Sequence, residues 1–383
     1  MSIGFIFGAL LIMLLLPDAY IVFSVMKGIS WWWRALFLFP TALYIAVAVR
    51  LFVVGDTRQF FFNVIFWLTL CVVFPILLFT VISILGKALT FINPRILIIF
   101  NWIGLGIGAV WLLGALYGIG YGWRKVTVED VNLYYSNLPK EFEGYKIVQL
   151  SDLHIGTYEL APATVEKIVE KVNSLHPDLI VFTGDLVNMD PSEITPFAQE
   201  LAKLQATDGV IAILGNHDYC LYQTYKDGYT AEKALRGVIE KEKEMGWKLL
   251  LNENTKIKRG EAEIALIGVE NSGGNHFIDR SDLKGALKGV EKGDFKILLT
   301  HDPSHWRREV IPSTDIDLTL SGHTHAMQFK IGDFSPSKWT YKEWGGLYND
   351  DERFLHVNTG TGGNIAFRFG AYPQITLITL NSK

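Results

Sequence analysis

Five short polar groups recur along this sequence: Asp152-Leu153-His154, Gly184-Asp185, Gly215-Asn216-His217-Asp218, Thr300-His301 and Gly322-His323-Thr324-His325. They hold five of the nine histidines. Each follows a brief apolar, β-branched run, at residues 145–150, 179–183, 210–214, 295–299 and 318–320. Carboxylate, carboxamide and imidazole together suit a borderline divalent ion such as Mn, Fe, Co or Zn better than Ca or Mg. Asp152, His154, Asp185, Asn216, His301, His323 and His325 are too many ligands for one ion. They are enough for two ions sharing a carboxylate, a pair that activates water and clamps the oxygens of a phosphoryl displacement. The glycines before Asp185, Asn216 and His323 allow the sharp turns that aim such side chains.

Taken singly, each group has a plainer explanation. Asp-x-His and Gly-Asp are common in surface turns, the Gly-Asn-His-Asp stretch reads as a turn too, and His-x-His on a strand can be two core histidines. Their repetition at the ends of β-type runs is what points to a site, because ligands of α/β sheets collect at strand C-termini. Further β-type runs lie at 264–269 and 355–358, residues 126–133 alternate like a strand, and 161–175 and 230–245 have helical character. The alternation predicts an α/β or α+β domain with sheets covered by helices.

The ordered set resembles the calcineurin-like metallophosphoesterases, over about residues 144–328. The stretch Leu138-Pro139-Lys140-Glu141-Phe142-Glu143-Gly144-Tyr145-Lys146-Ile147 is similar to the membrane-associated bacterial branch. The resemblance implies an α/β fold, a four-layer α/β/β/α sandwich. It also implies two divalent ions (Mn, Fe or Zn), with Asp152, His154 and His325 on one, Asn216, His301 and His323 on the other, and Asp185 bridging. His217 would face the phosphate and protonate the leaving oxygen, and Asp218 would orient it through its other ring nitrogen. The implied activity is hydrolysis of a phosphate mono- or diester, or a pyrophosphate, by a metal-bridged hydroxide. Where the family often has two glycines after the last histidine, Ala326 and Met327 stand here.

Half of the 383 residues are hydrophobic, 13% are aromatic and only 19% are charged, against a usual quarter. Residues 1–120 hold six basic and two acidic side chains, leaving 29 and 37 in the rest. Four apolar stretches, at about 3–26, 32–54, 60–85 and 96–120, each exceed the roughly 20 residues that cross a bilayer. Trp31-Trp32-Trp33 and Phe60-Phe61-Phe62 sit at stretch ends, where aromatic belts form. Gly104/Gly108 and Gly114/Gly118 repeat at helix-face spacing, which lets helices approach closely. A multi-pass membrane protein is expected: a four-helix transmembrane domain at 1–120, a linker and first strand at 121–144, and the phosphoesterase domain at 145–383. Basic residues divide evenly between the two sets of loops, so the positive-inside rule assigns no side. Asp18 and Arg50, near predicted helix ends, are expected to snorkel unless they serve a pathway.

A net charge of −4 argues against nucleic-acid binding, and two cysteines cannot build a cysteine zinc site. The expected partners are a phosphoester substrate, including a lipid-borne one, and the membrane. The rival reading is a membrane receptor or scaffold whose phosphoesterase-like domain binds a phosphorylated ligand without turnover. Asn271, Asn275 and His276 are candidates for substrate contact, Trp306 for a pocket wall, and Trp339 and Trp344 for a cap or a headgroup contact. His176, His305 and His356 are read as structural, and Lys241-Glu242-Lys243-Glu244 as a solvated helix face.

Overall fold

A computed structural model describes residues 3–54, 58–226, 228–273 and 277–383. The chain forms two compact units, 1–121 and 122–383.

The first unit is helical. Helix α1 (Ile3–Tyr20) runs into a π turn at Ile21–Val25, and α2 covers Trp31–Phe52. Helix α3 (Gln59–Leu68) joins α4 (Phe74–Ala88) through a π turn at Thr69–Val73, and α5 spans Arg95–Gly120. Three of the described helical segments, Trp31–Phe52, Gln59–Ala88 and Arg95–Arg124, are long and apolar enough to cross a membrane, and Leu11–Val25 is a shorter apolar helix. Their outer faces carry large apolar side chains such as Trp102, Val110 and Leu113, whereas Leu14, Tyr44, Ala48 and Val73 pack inside. Gly104 and Gly108 of α5 do what their spacing suggested. A Cβ on Gly104 would come within 3.3 Å of the Phe79 backbone, and one on Gly108 within 3.4 Å of the Pro75 carbonyl. Asp18 departs from expectation: it is buried and accepts the Thr41 hydroxyl instead of snorkelling outward.

The second unit contains two six-stranded sheets. The first has the order β1-β12-β2-β3-β4-β5, from β1 (Thr127–Tyr135), β2 (Tyr145–Leu150), β3 (Leu179–Phe182), β4 (Val210–Ala212), β5 (Lys248–Leu249) and β12 (Gln374–Ser382). The second runs β10-β11-β9-β8-β7-β6, from β6 (Glu253–Arg259), β7 (Ala262–Gly268), β8 (Phe295–Leu299), β9 (Leu318–Ser321), β10 (Gly346–Asp350) and β11 (Arg353–Val357). Ile147, Val181 and Ile211 of the first sheet share one apolar core with Leu266, Ile297 and Leu318 of the second. A further core holds Ala265, Ile267 and Leu298 together with Leu283, Trp306 and Val310.

Strands β2, β3 and β4 are parallel neighbours, as are β7, β8 and β9. Such strands are covered on both faces, which explains why their sequences are mostly apolar instead of strictly alternating. Helix α6 (Ala163–Ser174) buries Val165, Ile168, Val169 and Val172, and α7 (Ala231–Glu244) buries Ala234 and Val238. The parallel register brings the ends of β2, β3, β4, β8 and β9, and so all five polar groups, to neighbouring positions.

Candidate metal centre

The backbone leaves β2, β3 and β9 through left-handed turns. Asp152, His154, Asp185, His323 and His325 all have positive φ, between 44° and 73°. Non-glycine residues adopt this region at a cost, and Asp and Asn-like side chains tolerate it best. Glycines make the room. A Cβ on Gly215 would lie 2.2 Å from Asp185 Oδ1, and one on Gly322 would lie 2.2 Å from Asp152 Oδ2.

Two groups of side chains result, and they share one member. Asp152, His154, Asp185 and His325 converge with ligand atoms within 4.8 Å of one another, as do Asp185, His301 and His323. His325 Nε2 is 3.1 Å from Asp152 Oδ1, His301 Nε2 is 3.1 Å from Asp185 Oδ2, and His154 Nε2 is 3.6 Å from the same Asp185 oxygen. The opposite carboxylate oxygens are fixed by donors. Asp185 Oδ1 accepts the His217 N–H at 2.7 Å, and Asp152 Oδ2 accepts the His323 N–H at 2.9 Å and the Ser151 hydroxyl at 2.5 Å.

Asn216, His301 and His323 follow a common pattern. On each, one polar atom is held from outside the cluster and the other is buried facing the cluster; for Asn216 and His323 that second atom has no hydrogen bond, and for His301 it meets only the Asp185 carboxylate. Asn216 Nδ2 donates to the Tyr222 hydroxyl at 2.8 Å, leaving Oδ1. His301 Nδ1 donates to the Thr183 carbonyl at 2.7 Å, leaving Nε2. His323 Nε2 meets the Tyr341 hydroxyl at 2.7 Å, leaving Nδ1. Buried polar atoms are rarely left unpaired, and metal-binding imidazoles are aimed by a partner on the other nitrogen. The donor set therefore fits divalent ions.

The electrostatics agree. Burial alone would raise both carboxylates, but His325 and His301 hold Asp152 well below the usual range, and His301 and His217 do the same for Asp185. Burial works against a charged imidazole at His301, yet Asp185 and Asp152 push it up to about 10. His323 is pushed down to about 4 by burial and by His301, and burial with His217 and His325 keeps His154 neutral. Two buried carboxylates at this distance call for positive charge, and neutral imidazoles around them supply lone pairs.

His217 lies beside this cluster, its ring 4.7 Å from that of His154 and 4.4 Å from that of Tyr222. The expected pairing of Asp218 with His217 is corrected. His217 Nδ1 meets the Asn188 carbonyl at 2.7 Å. The Asp218 carboxylate is taken up by the backbone N–H groups of Asp185, Leu186 and Gly215, each at 2.8 Å, and of Val187 at 3.2 Å. Asp218 thus shapes the turn that presents Asp185. Burial and the Asp185 charge push it up to about 7, against the pull of these donors.

Several other expectations are settled by position. Trp306 is a core residue, Trp344 is buried against Ala326 and Ala371, and Trp339 is exposed. Asn271 is buried and donates to the Ile278 carbonyl at 2.6 Å, and Asn275 and His276 lie outside the described residues. His305 is buried between Thr300 and Glu309, His356 is buried against Gln149, and His176 is exposed. Glu242 is not solvated: it is buried, with burial and Asp218 raising its carboxyl well above the usual range.

Two residues went unnoticed in the sequence. Tyr341 steadies His323 from a loop with no motif around it. Arg368 is buried and donates to the carbonyls of Thr359, Gly362 and Ala371. It thereby ties down the loop whose Thr361 and Gly362 N–H groups hold the Ser151 and Asp152 carbonyls. A lone arginine carries no sequence signal for such a role.

Ligand-capable Asp and His side chains gathered at the strand ends of paired mixed sheets fit a metal-dependent hydrolase, and the comparisons name the group. Residues 145–327 match the family described as calcineurin-like phosphoesterase. The "Uncharacterized metallophosphoesterase YkuE" of Bacillus subtilis is 31% identical over 69% of this chain and 91% of its own length. The "Transmembrane protein with metallophosphoesterase domain" of Danio rerio is 31% identical over 70% of this chain and 60% of its own. The "Uncharacterized metallophosphoesterase Cj0846" of Campylobacter jejuni is 28% identical over 79% of this chain and 75% of its own. The chain belongs to the calcineurin-like metallophosphoesterases, metal-dependent hydrolases of phosphoric esters. Its apolar helices and its relatives named as transmembrane proteins associate it with the membrane.

Proposed function

We propose that this chain is a membrane-integral dimetal phosphoesterase that hydrolyses a phosphate mono- or diester presented at the bilayer. In this reading the first unit crosses the membrane four times, α1 with its π turn being the first pass, and 121–144 connects it to a four-layer α/β/β/α catalytic domain at 145–383. The observation that carries the reading is the sharing of Asp185 between two groups of ligand-capable side chains. Asp152, His154 and His325 would hold one divalent ion, and Asn216, His301 and His323 the other, with Asp185 serving both. When bound, such a pair supplies Lewis acidity and an activated water.

The chain's own residues do the rest. Asp185 and Asp152 neutralise the cations, and their fixed second oxygens keep each carboxylate from swinging. The carbonyl of Asn188 holds the Nδ1 proton of His217, so Nε2 is the atom that reaches toward a phosphoryl oxygen. A protonated His217 would stabilise developing charge there and donate to the leaving oxygen. The test is metal content measured together with hydrolysis of a chromogenic phosphodiester. Two equivalents of metal with turnover are expected, and Asp185→Asn should lose more metal than any other single ligand change. Two full equivalents in that variant would defeat the bridging assignment. Two equivalents without turnover of any phosphoester would favour the receptor reading.

A further inference from the structure

The segment after His325 is held tightly at its base. The Ser335 hydroxyl donates to the Ala326 carbonyl at 2.6 Å, Ser337 Oγ to the Thr324 carbonyl at 3.3 Å, and the Lys330 N–H to the Phe369 carbonyl at 2.7 Å. Phe329 stacks on Phe369. The tip nevertheless turns its apolar side chains outward. Ile331, Phe334 and Trp339 are 58%, 42% and 78% exposed, Ile331 and Phe334 exchange backbone hydrogen bonds, and the Phe334 and Trp339 rings meet edge-on. Lys338 and Lys342 are exposed beside them. A flexible loop would fold such side chains inward. This one is braced so that they cannot.

Its location within the catalytic unit is informative. Lys330 and Trp344 line a cavity of about 170 Å³ together with Thr127, Glu129, Tyr372 and Gln374. Thr127 opens β1, six residues separate it from the end of α5, and Lys125 lies 4.2 Å over the Tyr372 ring. The base of the tip and the segment by which the chain enters this unit from its apolar helices therefore share one end of the unit. Tryptophan and phenylalanine flanked by lysine is the composition of side chains that settle among headgroups, and the lysines suit anionic lipid.

We propose that the tip at 331–339 inserts into the headgroup region of the bilayer that holds the same chain's helices, setting the metal centre at the membrane surface. This rests on the membrane reading of those helices and not on turnover. The full chain, with Cys71→Ala and Trp339→Cys, is labelled with a polarity-sensitive dye and reconstituted into phosphatidylcholine–phosphatidylglycerol vesicles; Cys220 is fully buried and stays unlabelled. The control label is at Lys243→Cys on the exposed face of α7, which packs beside β5 at the far edge of the first sheet. The label at 339 should be blue-shifted and quenched several-fold more strongly by lipid brominated near the headgroup than the label at 243. Metal content checks folding, and Ile331→Cys provides a second position should the first variant fail. Water-like emission at both positions, without lipid quenching, would overturn the proposal. So would a label shielded from lipid and water alike, which would place a protein or a second copy on the tip. Quenching by lipid in a protein without phosphoesterase turnover would leave this proposal standing and defeat the enzymatic one.

Discussion

His217 and Asp218 are adjacent in sequence and act on different parts of the site, which makes their substitutions distinguishable. His217 holds no ligand position in either converging group, and its ring touches His154 and Tyr222. His217→Ala should keep both metal equivalents while turnover falls by about 10²–10⁴-fold, the usual worth of a general acid. The loss should shrink for esters with good leaving groups; equal losses would leave charge stabilisation as its role. Asp218→Asn puts an amide N–H where backbone N–H groups already point, an uncompensated burial costing about 1–3 kcal/mol. That variant should unfold earlier and bind less metal, because the turn carrying Asp185 loosens. A thermal midpoint equal to wild type would contradict the assignment of Asp218 to the turn. Away from the metals, His356 is buried and pushed by burial from 6.5 down to about 4. The unfolded chain therefore binds this proton more readily, and stability is complete above pH 6.5 and lost as pH falls toward 4. The contribution is on the order of 3 kcal/mol. His356→Gln, which can still meet Gln149, should flatten that part of the unfolding free energy plotted against pH; an unchanged acid limb would show His356 to be uninvolved.

Among the elements, those most legible in the sequence are the ones with apolar neighbours on both faces. Strands β2 and β8 occupy the predicted residues because nearly every position in these mostly apolar runs is pinned by burial, and the ends of β3, β4, β7, β9 and β11 differ by one or two residues. Strands β5, β6, β10 and β12 escaped notice. Strand β5 has two residues, and β6 (Glu253–Arg259) lies at a sheet edge and is mostly polar. Strand β10 (Gly346–Asp350) also lies at a sheet edge, and β12 (Gln374–Ser382) follows no polar group that would have drawn attention to it. The groups at strand ends were readable because metal chemistry restricts residue types, whereas the tyrosine, arginine and carbonyl partners that aim them are of types used everywhere. Glu242 misled for a related reason: a charged run looks solvated until the packing of its helix is known. The missing glycines after His325 have a physical answer as well. Ala326, Met327 and Gln328 have φ of 50°, 45° and 56°, so this turn keeps a left-handed backbone without the residue that adopts it freely. Each such residue costs roughly 1–2 kcal/mol, and glycine adds about 0.5–1 kcal/mol of unfolded-state entropy. Met327 is 46% exposed and gives up little packing. Met327→Gly should therefore raise stability by about 0.5–1 kcal/mol, read as a higher thermal midpoint. An unchanged or lower midpoint would mean that the turn carries no strain at Met327.

At the scale of the whole molecule, charge and chemistry are partitioned along one chain. Residues 1–120 carry eight of its charged side chains, and the acidic remainder carries every candidate metal ligand. The second unit has its own apolar cores and both sheets, including β1 paired with β12 along nine residues, so its fold does not draw on the helices for a core. Residues 122–383 expressed alone should fold, bind two equivalents of metal and cleave a small chromogenic diester as fast as the full chain. A single helix would suffice as a tether, yet the chain invests 120 residues in apolar helices and joins them to β1 through six residues. If those helices cross a bilayer as proposed, a connection this short favours a substrate presented by that bilayer over a soluble one. On vesicles containing a lipid phosphoester, the isolated unit should consequently lose most of the activity shown by the reconstituted full chain. Equal activity of the two proteins on vesicles would refute a lipid-borne substrate. So would efficient turnover of a soluble phosphoester by both with no action on any lipid, and the helices would then serve for location alone.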